Sequence, residues 1–543
     1  MLFLRSVAHA AAAITLLSPT LVSAQNSSSS LPVVDLGYGL HRAISFNETR
    51  AYYNFSNIRY AAPPVGELRF KAPEAPVTDR SVINDGSIDR ICPQSSATYR
   101  DPRETEDCLF LDVIVPEKVF LSASNATSNG TGAPVLVWIY GGGYTSGSKA
   151  AERTPSGLIQ RGGDGVIYVA MNYRVGAFGW LAGPTLQQDG TANAGLHDQR
   201  FALEWVQANI HLFGGDKDRV TVFGESAGGG SIIHQITAYG GASKAPFQRA
   251  IAQSPAWLAF PSLYGQDQVL QNFLAAANAT TLAELRTLPS ASLIAANAAL
   301  ISNSANGLSS LGPAIDGSFV PQDPKSLLAQ GRYDTSVGVM VGHNTDESHT
   351  LTPAAATSDA IVDLFIAAVL PNSPPAIVSY IANTLYPPVS NGSANGSVAA
   401  TPYTTPFARL ALLIGEATIL CNAHALAKTN ATTSHAYRFG VAPGYHGQDV
   451  PHTYYDPGSA PSSGDGGASA LLPFNATVAT VLQDYITSFA IDGAPASAVD
   501  GLGGGFPVYG EDARLVALSG EGVGVDADEA ANERCEWWGM NYI

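Results

Sequence analysis

The stretch TVFGESAGGGS, Thr221 to Ser231, sets one serine between glycines, and its reading decides the fold. In a chain with 54 glycines a G-x-S-x-G match carries little weight alone, so the flanks decide. RVTVF before it is a β-branched, apolar run that predicts a strand, and AGGGSIIHQITAYG after it predicts a helix. Ser226 therefore falls in a tight strand-to-helix turn, with its hydroxyl aimed away from the sheet. Gly224 and Gly228 fit a turn so sharp that neighbouring backbones leave no room for side chains. The N–H of Ala227, opening the helix, is a candidate donor to a developing oxyanion.

Working outward, APVLVWIYGGGY contains a buried-type strand over Val135 to Tyr140 that ends in three glycines. The N–H groups of Gly142 and Gly143 are candidates to complete an oxyanion hole, since no side chain blocks a carbonyl there. DGVIYVAMNYRVG, RAIAQS, VGVMVGHN and HAYRFG each contain a further apolar strand. In NAGLHDQRFALEWVQANIHLFGG, Leu196, Leu203, Val206 and Ile210 recur at helical spacing, and Gly214 and Gly215 stop the helix. Strands alternating with helices predict an α/β fold with a large, mostly parallel sheet covered on both faces. YYNFSNIRYAAPPVGELRFKAPEAP predicts short strands and turns near the N-terminus, and DPGSAPSSGDGGASA reads as a flexible loop.

The 543 residues carry a formal net charge of -17 with no block of either sign, which argues against nucleic acid as a partner. MLFLRSVAHAAAAITLLSPTLVSAQ has one Arg, an apolar stretch and small residues at Val22 and Ala24, the pattern of a signal peptide cleaved after Ala24. No stable membrane anchor is expected, and the polar end NERCEWWGMNYI lacks the tail of a lipid-anchor signal. Asn26, Asn47, Asn54, Asn125, Asn129, Asn278, Asn391, Asn395, Asn430 and Asn475 begin glycosylation sequons, in keeping with secretion. Cys92, Cys108, Cys421 and Cys535 allow three disulfide pairings, and none has zinc-ligand spacing, so no metal site is expected.

In their present order, PPVGELRF, EDCLFLDV, WIYGGGY, NYRVGAFGWL and FGESAGG resemble the type B carboxylesterases, the branch of the α/β-hydrolase fold that includes cholinesterases and fungal lipases. The resemblance spans nearly the whole mature chain. It implies one domain over 25–543, a central mixed sheet with a small N-terminal antiparallel sheet, and a Ser-Glu-His triad. VGHNTDES is similar to the family's acid motif and points to Glu347; PGYHGQD is similar to its histidine motif and points to His446. Asp346 is the neighbouring rival for the acid. His452, in VPHTYY, is read as a surface or loop histidine, and His343 and His349 are given local hydrogen-bonding roles. The resemblance further implies disulfides Cys92–Cys108 and Cys421–Cys535, buried ion pairs Arg69–Glu106 and Arg174–Asp198, and a supporting position for Ser254 near the triad. Ser348 and Pro255 depart from the glycines usual at those positions.

The expected reaction is acyl transfer: Ser226 attacks an ester, His446 moves the proton, and Glu347 holds the imidazole. No cofactor is implied, and the partner is a small-molecule ester. Family lipases carry a flap inside the first disulfide; here that loop has 15 residues, four of them acidic, and makes a poor interfacial lid. This favours a carboxylesterase over a lipase of long acyl chains. The same loop has Tyr99 and no Trp, which withholds support from choline esters. Tyr144 and Trp257 are candidate linings of the acyl pocket. A non-catalytic adhesion relative is the alternative from another class, opposed by the retained Ser226, Glu347 and His446. No sequence feature fixes the oligomeric state.

Overall fold

A computed structural model describes residues 31–96, 101–124, 132–150, 154–257, 262–303, 311–370, 373–389, 401–430, 433–458 and 472–540. The expected signal peptide and the low-complexity loop, apart from its first residues 456–458, lie outside these residues, as do the sequons at Asn26, Asn125, Asn129, Asn391 and Asn395.

The strands are β1 (Val33–Asp35), β2 (Gly39–Arg42), β3 (Ser45–Asn47), β4 (Tyr52–Arg59), β5 (Asp79–Asn84), β6 (Phe110–Pro116) and β7 (Ala133–Ile139). They continue with β8 (Ile167–Met171), β9 (Gly215–Glu225), β10 (Arg249–Gln253), β11 (Gly338–Asn344), β12 (His435–Gly440), β13 (Arg514–Ser519) and β14 (Gly522–Ala527). Eleven of them form one sheet in the order β14-β13-β12-β11-β10-β9-β7-β8-β6-β4-β3. Its centre, β8 through β13, is parallel, and the edges are antiparallel. The small N-terminal sheet pairs β1 antiparallel with β2 and takes β5 alongside β2 in parallel.

Central strands such as VLVWI in β7 and IYVAM in β8 are buried along their length, which explains why their sequences run apolar rather than alternating. The helix Ala194–Asn209 buries Leu196, Leu203 and Val206, continues in a 3-10 turn over Ile210–Phe213, and stops at Gly214, whose φ of 87° closes the turn. Helices on both faces of a largely parallel sheet make this the α/β-hydrolase architecture. Its functional edge is the carboxyl end of the parallel strands, where ligands bind in open α/β sheets. Five adjacent strands, β7, β9, β10, β11 and β12, end there and lead into the glycine loop, Ser226, Ser254, Glu347 and His446.

Long-range bonds hold this edge. Cys92 is bonded to Cys108 and Cys421 to Cys535. Arg174 donates two 2.7 Å bonds to the fully buried Asp198 carboxylate, tying the chain after β8 to the helix Ala194–Asn209. Among the described residues one helical run, Pro406–Ala427, is apolar and long enough to cross a membrane, a feature absent from the sequence reading. Most of it is buried inside the protein: Arg409 lies fully buried on Asp359 and Asp363, and Cys421 is stapled to the C-terminal helix Glu533–Met540.

Arg69 makes the other buried pair, with bonds of 2.8 and 2.7 Å to Glu106, and also donates to the carbonyls of Arg286 and Leu288 at 2.7 Å. Breaking such a pair strands a buried carboxylate and orphans two carbonyls. Arg69→Met is therefore expected to cost about 3–5 kcal/mol, read as a lower urea midpoint; an unchanged midpoint would contradict the buried-pair account.

Candidate active site

Ser226 follows β9 and precedes the helix Ala227–Ile236, with φ 57° and ψ -122°. A non-glycine residue at positive φ costs about 1–3 kcal/mol and persists only where neighbours enforce it. Here the enforcement is visible. Its N–H donates to the Gln253 carbonyl at 3.0 Å, and its own carbonyl accepts from Gly230 and Ala256 at 2.9 Å. A Cβ on Gly224 would lie 2.4 Å from the Ile139 carbonyl oxygen, and one on Gly228 2.0 Å from it, so both positions exclude side chains.

The three glycines after β7 have separate duties. A Cβ on Gly141, which the sequence reading passed over, would sit 3.0 Å from the Ser226 Cβ. Gly142 has φ 105° and a carbonyl that accepts from Thr145 and Ser146, so its peptide turns the chain. Gly143 has φ 61° and open space where a side chain would stand. Among the described residues, no protein acceptor takes the N–H of Gly142, Gly143 or Ala227. All three donors remain available to a ligand.

His446 links the other two candidates. Its Nε2 is 2.8 Å from the Ser226 hydroxyl and its Nδ1 2.6 Å from Glu347 Oε2. In the neutral imidazole, with Glu347 ionised, Nδ1 carries the proton and Nε2 accepts from the serine hydroxyl; in the imidazolium both nitrogens donate. The Glu347 side chain is fully buried, and its Oε1 accepts from the Asn344 N–H at 2.6 Å. Burial opposes its charge, but the His446 imidazole and hydrogen bonds from His446 and the Asn344 N–H hold the carboxyl below its ordinary range. Ser254, just past β10, is fully buried, and among the described residues its hydroxyl makes no hydrogen bond to Glu347 or His446.

Two more carboxylates surround the imidazole. Glu225, the first variable letter of G-x-S-x-G, brings Oε1 within 3.4 Å of His446 Nε2. Asp449, three positions beyond His446, is fully buried; burial and the Glu347 charge push it up to about 6. Burial pulls His446 down, yet the charges of Glu225, Glu347 and Asp449 outweigh it and hold the imidazole at about 9. A motif names Ser226 but is silent about the letter before it, so Glu225 had no sequence signal beyond its adjacency.

The remaining candidates fall around this centre. Tyr144 and Trp257 are both buried: the Tyr144 hydroxyl donates to the Ala256 carbonyl at 2.7 Å, and the Trp257 ring meets His234 at 5.1 Å and the Lys325 ammonium at 4.9 Å. Asp346 turns to His349, 3.5 Å away, and its N–H pairs with Gly444. Ser348 donates its hydroxyl to the Ala411 carbonyl, joining the acid turn to the helical run that begins at Pro406, a contact no glycine there could make. His452 corrects the sequence reading: it is buried between Phe439 and Phe474, bonded to the Gln448 carbonyl and to the Asn475 N–H. His343, Asp528 and Glu529 converge as metal-ligand types, but Asp528 already holds Tyr509 and faces His343, and Glu529 accepts from Arg438.

Comparison with known proteins agrees with this fold. Residues 32–501 match the profile of the Carboxylesterase family. Carboxylesterase patB of Penicillium expansum is 40% identical over 559 aligned residues, covering 94% of this chain and 95% of the relative. A secreted lipase of Arthroderma benhamiae is 32% identical, covering 86% and 82%. The crystal structure of Aspergillus niger EstA superposes with a TM-score of 0.79 at 28% identity, covering 94% of this chain and 98% of that one.

An imidazole serves as a base only when neutral, so turnover that depends on His446 is lost as pH falls through its pKa. Because surrounding carboxylates raise that pKa, the acid limb of kcat/KM is expected above the ordinary histidine value of about 6.5. Glu225→Gln removes the foremost raising charge and is expected to move the limb to lower pH. A limb that stays in place would contradict the electrostatic assignment.

Proposed function

The chain belongs to the carboxylesterase family and is a carboxylic ester hydrolase, and from that premise we propose that Ser226, His446 and Glu347 perform the acyl transfer. The unbroken contact from Ser226 Oγ through His446 to Glu347, at 2.8 and 2.6 Å, carries this reading. As Ser226 attacks the ester carbonyl, its proton passes to His446 Nε2, and Glu347 stabilises the imidazolium. The tetrahedral oxyanion is held by the N–H groups of Gly142, Gly143 and Ala227, and His446 returns the proton to the leaving alcohol. Water, activated by the same imidazole, then releases the acid. The intact set speaks against a non-catalytic adhesion role.

Small to medium acyl groups are the proposed substrates, with Tyr144 and Trp257 near the acyl side. The ends of the disulfide loop favour this over a lipase. Gln94 clasps Gly147 of the glycine loop, accepting from its N–H at 2.8 Å and donating to its carbonyl at 3.1 Å. Glu104 accepts from the N–H groups of Gln94 and Asp101, and Ile91 bridges to Glu104. A loop whose ends are fastened in this way, with Glu104 and Glu106 turned inward, has little to gain from an oil surface. Secretion is proposed with a leader over 1–24 and one catalytic domain over 25–543, supported by the two disulfides and by the secreted relative. Of the described sequons, Asn278 is the exposed one and the best placed for a glycan.

A p-nitrophenyl ester ladder tests the reading. The parent is expected to prefer short acyl chains without a rate jump above the solubility limit, and Ser226→Ala to lose at least about 10⁴-fold in kcat. A long-chain optimum that rises at an emulsion would move the assignment to lipase; retained turnover in Ser226→Ala would refute the nucleophile.

A further inference from the structure

We propose that Asn344 is a positioning residue that fixes Glu347 and His446 in mutual register; this rests on the triad reading above. Asn344 ends β11 and is fully buried. It reaches both partners with different groups. Its backbone N–H donates to Glu347 Oε1 at 2.6 Å, which turns the other oxygen, Oε2, toward His446 Nδ1. Its side-chain amide donates to the Tyr445 carbonyl at 2.7 Å and to Asp449 Oδ1 at 3.3 Å. Those acceptors bracket His446 in sequence, so both amide hydrogens grip the segment that carries the imidazole.

The amide orientation follows from chemistry, because a carbonyl oxygen turned toward Tyr445 and Asp449 would face two acceptors. Among the described residues Asn344 Oδ1 has no partner, so the amide's hydrogen bonds all go to the His446 segment. A network continues behind it: Gln253, at the end of β10, donates to Asp449 Oδ2 at 3.0 Å, and Gln253 also receives the Ser226 N–H on its carbonyl. Asn344 thus closes a ring of contacts through all three members of the triad.

Other bonds hold the surrounding backbone without the Asn344 side chain. The Thr345 N–H donates to the Phe439 carbonyl at 2.9 Å, and that of Asp346 to Gly444 at 2.8 Å. Removing the amide therefore loosens the His446 segment while the β11–β12 connection persists. Slackening the imidazole against Glu347 weakens its orientation toward Ser226 and its hold on a proton, with Glu225 and Asp449 the other charges facing it.

The test compares Asn344→Ala and Asn344→Ser with the parent and with Ser226→Ala, counting active sites by the p-nitrophenol released on phosphorylation by diethyl p-nitrophenyl phosphate so that misfolded protein is excluded. Expected for both Asn344 variants is a kcat per titrated site lower by about 10- to 100-fold, KM within about twofold, and an acid limb of kcat/KM displaced to lower pH. A kcat per site unchanged within about twofold, or a loss with no displacement of the limb, would overturn the inference. Retained turnover in Ser226→Ala would overturn the underlying triad reading and this inference with it. A silent Ser226→Ala beside an unmoved Asn344 profile would overturn this inference alone.

Discussion

The carbonyl of Ile139 lies so close to Gly224 and Gly228 that a single methyl on either would collide with it. That approach lets β9 turn into a helix within one residue, and it holds Ser226 at a positive φ that an unconstrained chain would avoid. Everything chemical at the site inherits its position from there. The turn points the serine hydroxyl off the sheet edge, and Gly141, pressed against Ser226, brings the glycine loop alongside. The neighbouring strands then need only end at the same edge to deliver an acid, an imidazole and three unpaired N–H groups.

Charge is the second constraint. Glu225, Glu347 and Asp449 crowd one imidazole in a largely water-excluded setting. Such a cluster is costly to build, and its hydrogen-bond donors, Asn344 and Gln253 among them, offset part of that cost. The return is an imidazole with strong affinity for a proton, which in the proposed acyl transfer suits it to hold the imidazolium formed on serine attack. In the same proposal it ties turnover to pH values at which that proton can leave. The start of the first disulfide loop is tied to the glycine loop by a different device, the Gln94 clasp on Gly147.

The parallel strands were legible because residues buried on both faces leave unbroken apolar runs, as in VLVWI and IYVAM. The elbow was legible because glycine is the residue that a close backbone approach demands. The acid and histidine, far apart in sequence, came through a family resemblance, since no local pattern joins position 347 to 446. Glu225 and Asn344 stood inside quoted motifs yet carried no separate signal, for their contacts with His446, Glu347 and Tyr445 arise from three strands ending together. His452 misled because VPHTYY looks polar and loop-like; its burial comes from Phe439 and Phe474, distant in sequence or on another element. The Pro406–Ala427 run hid its apolarity behind Arg409, whose charge is absorbed by Asp359 and Asp363.

The central claim is that one strained serine becomes acylated. Reaction with diethyl p-nitrophenyl phosphate, followed by peptide mass spectrometry, tests it most directly. The account predicts release of about one p-nitrophenol per chain and a single diethylphosphoryl adduct on Ser226. An adduct on another residue, or none while ester turnover continues, would contradict it.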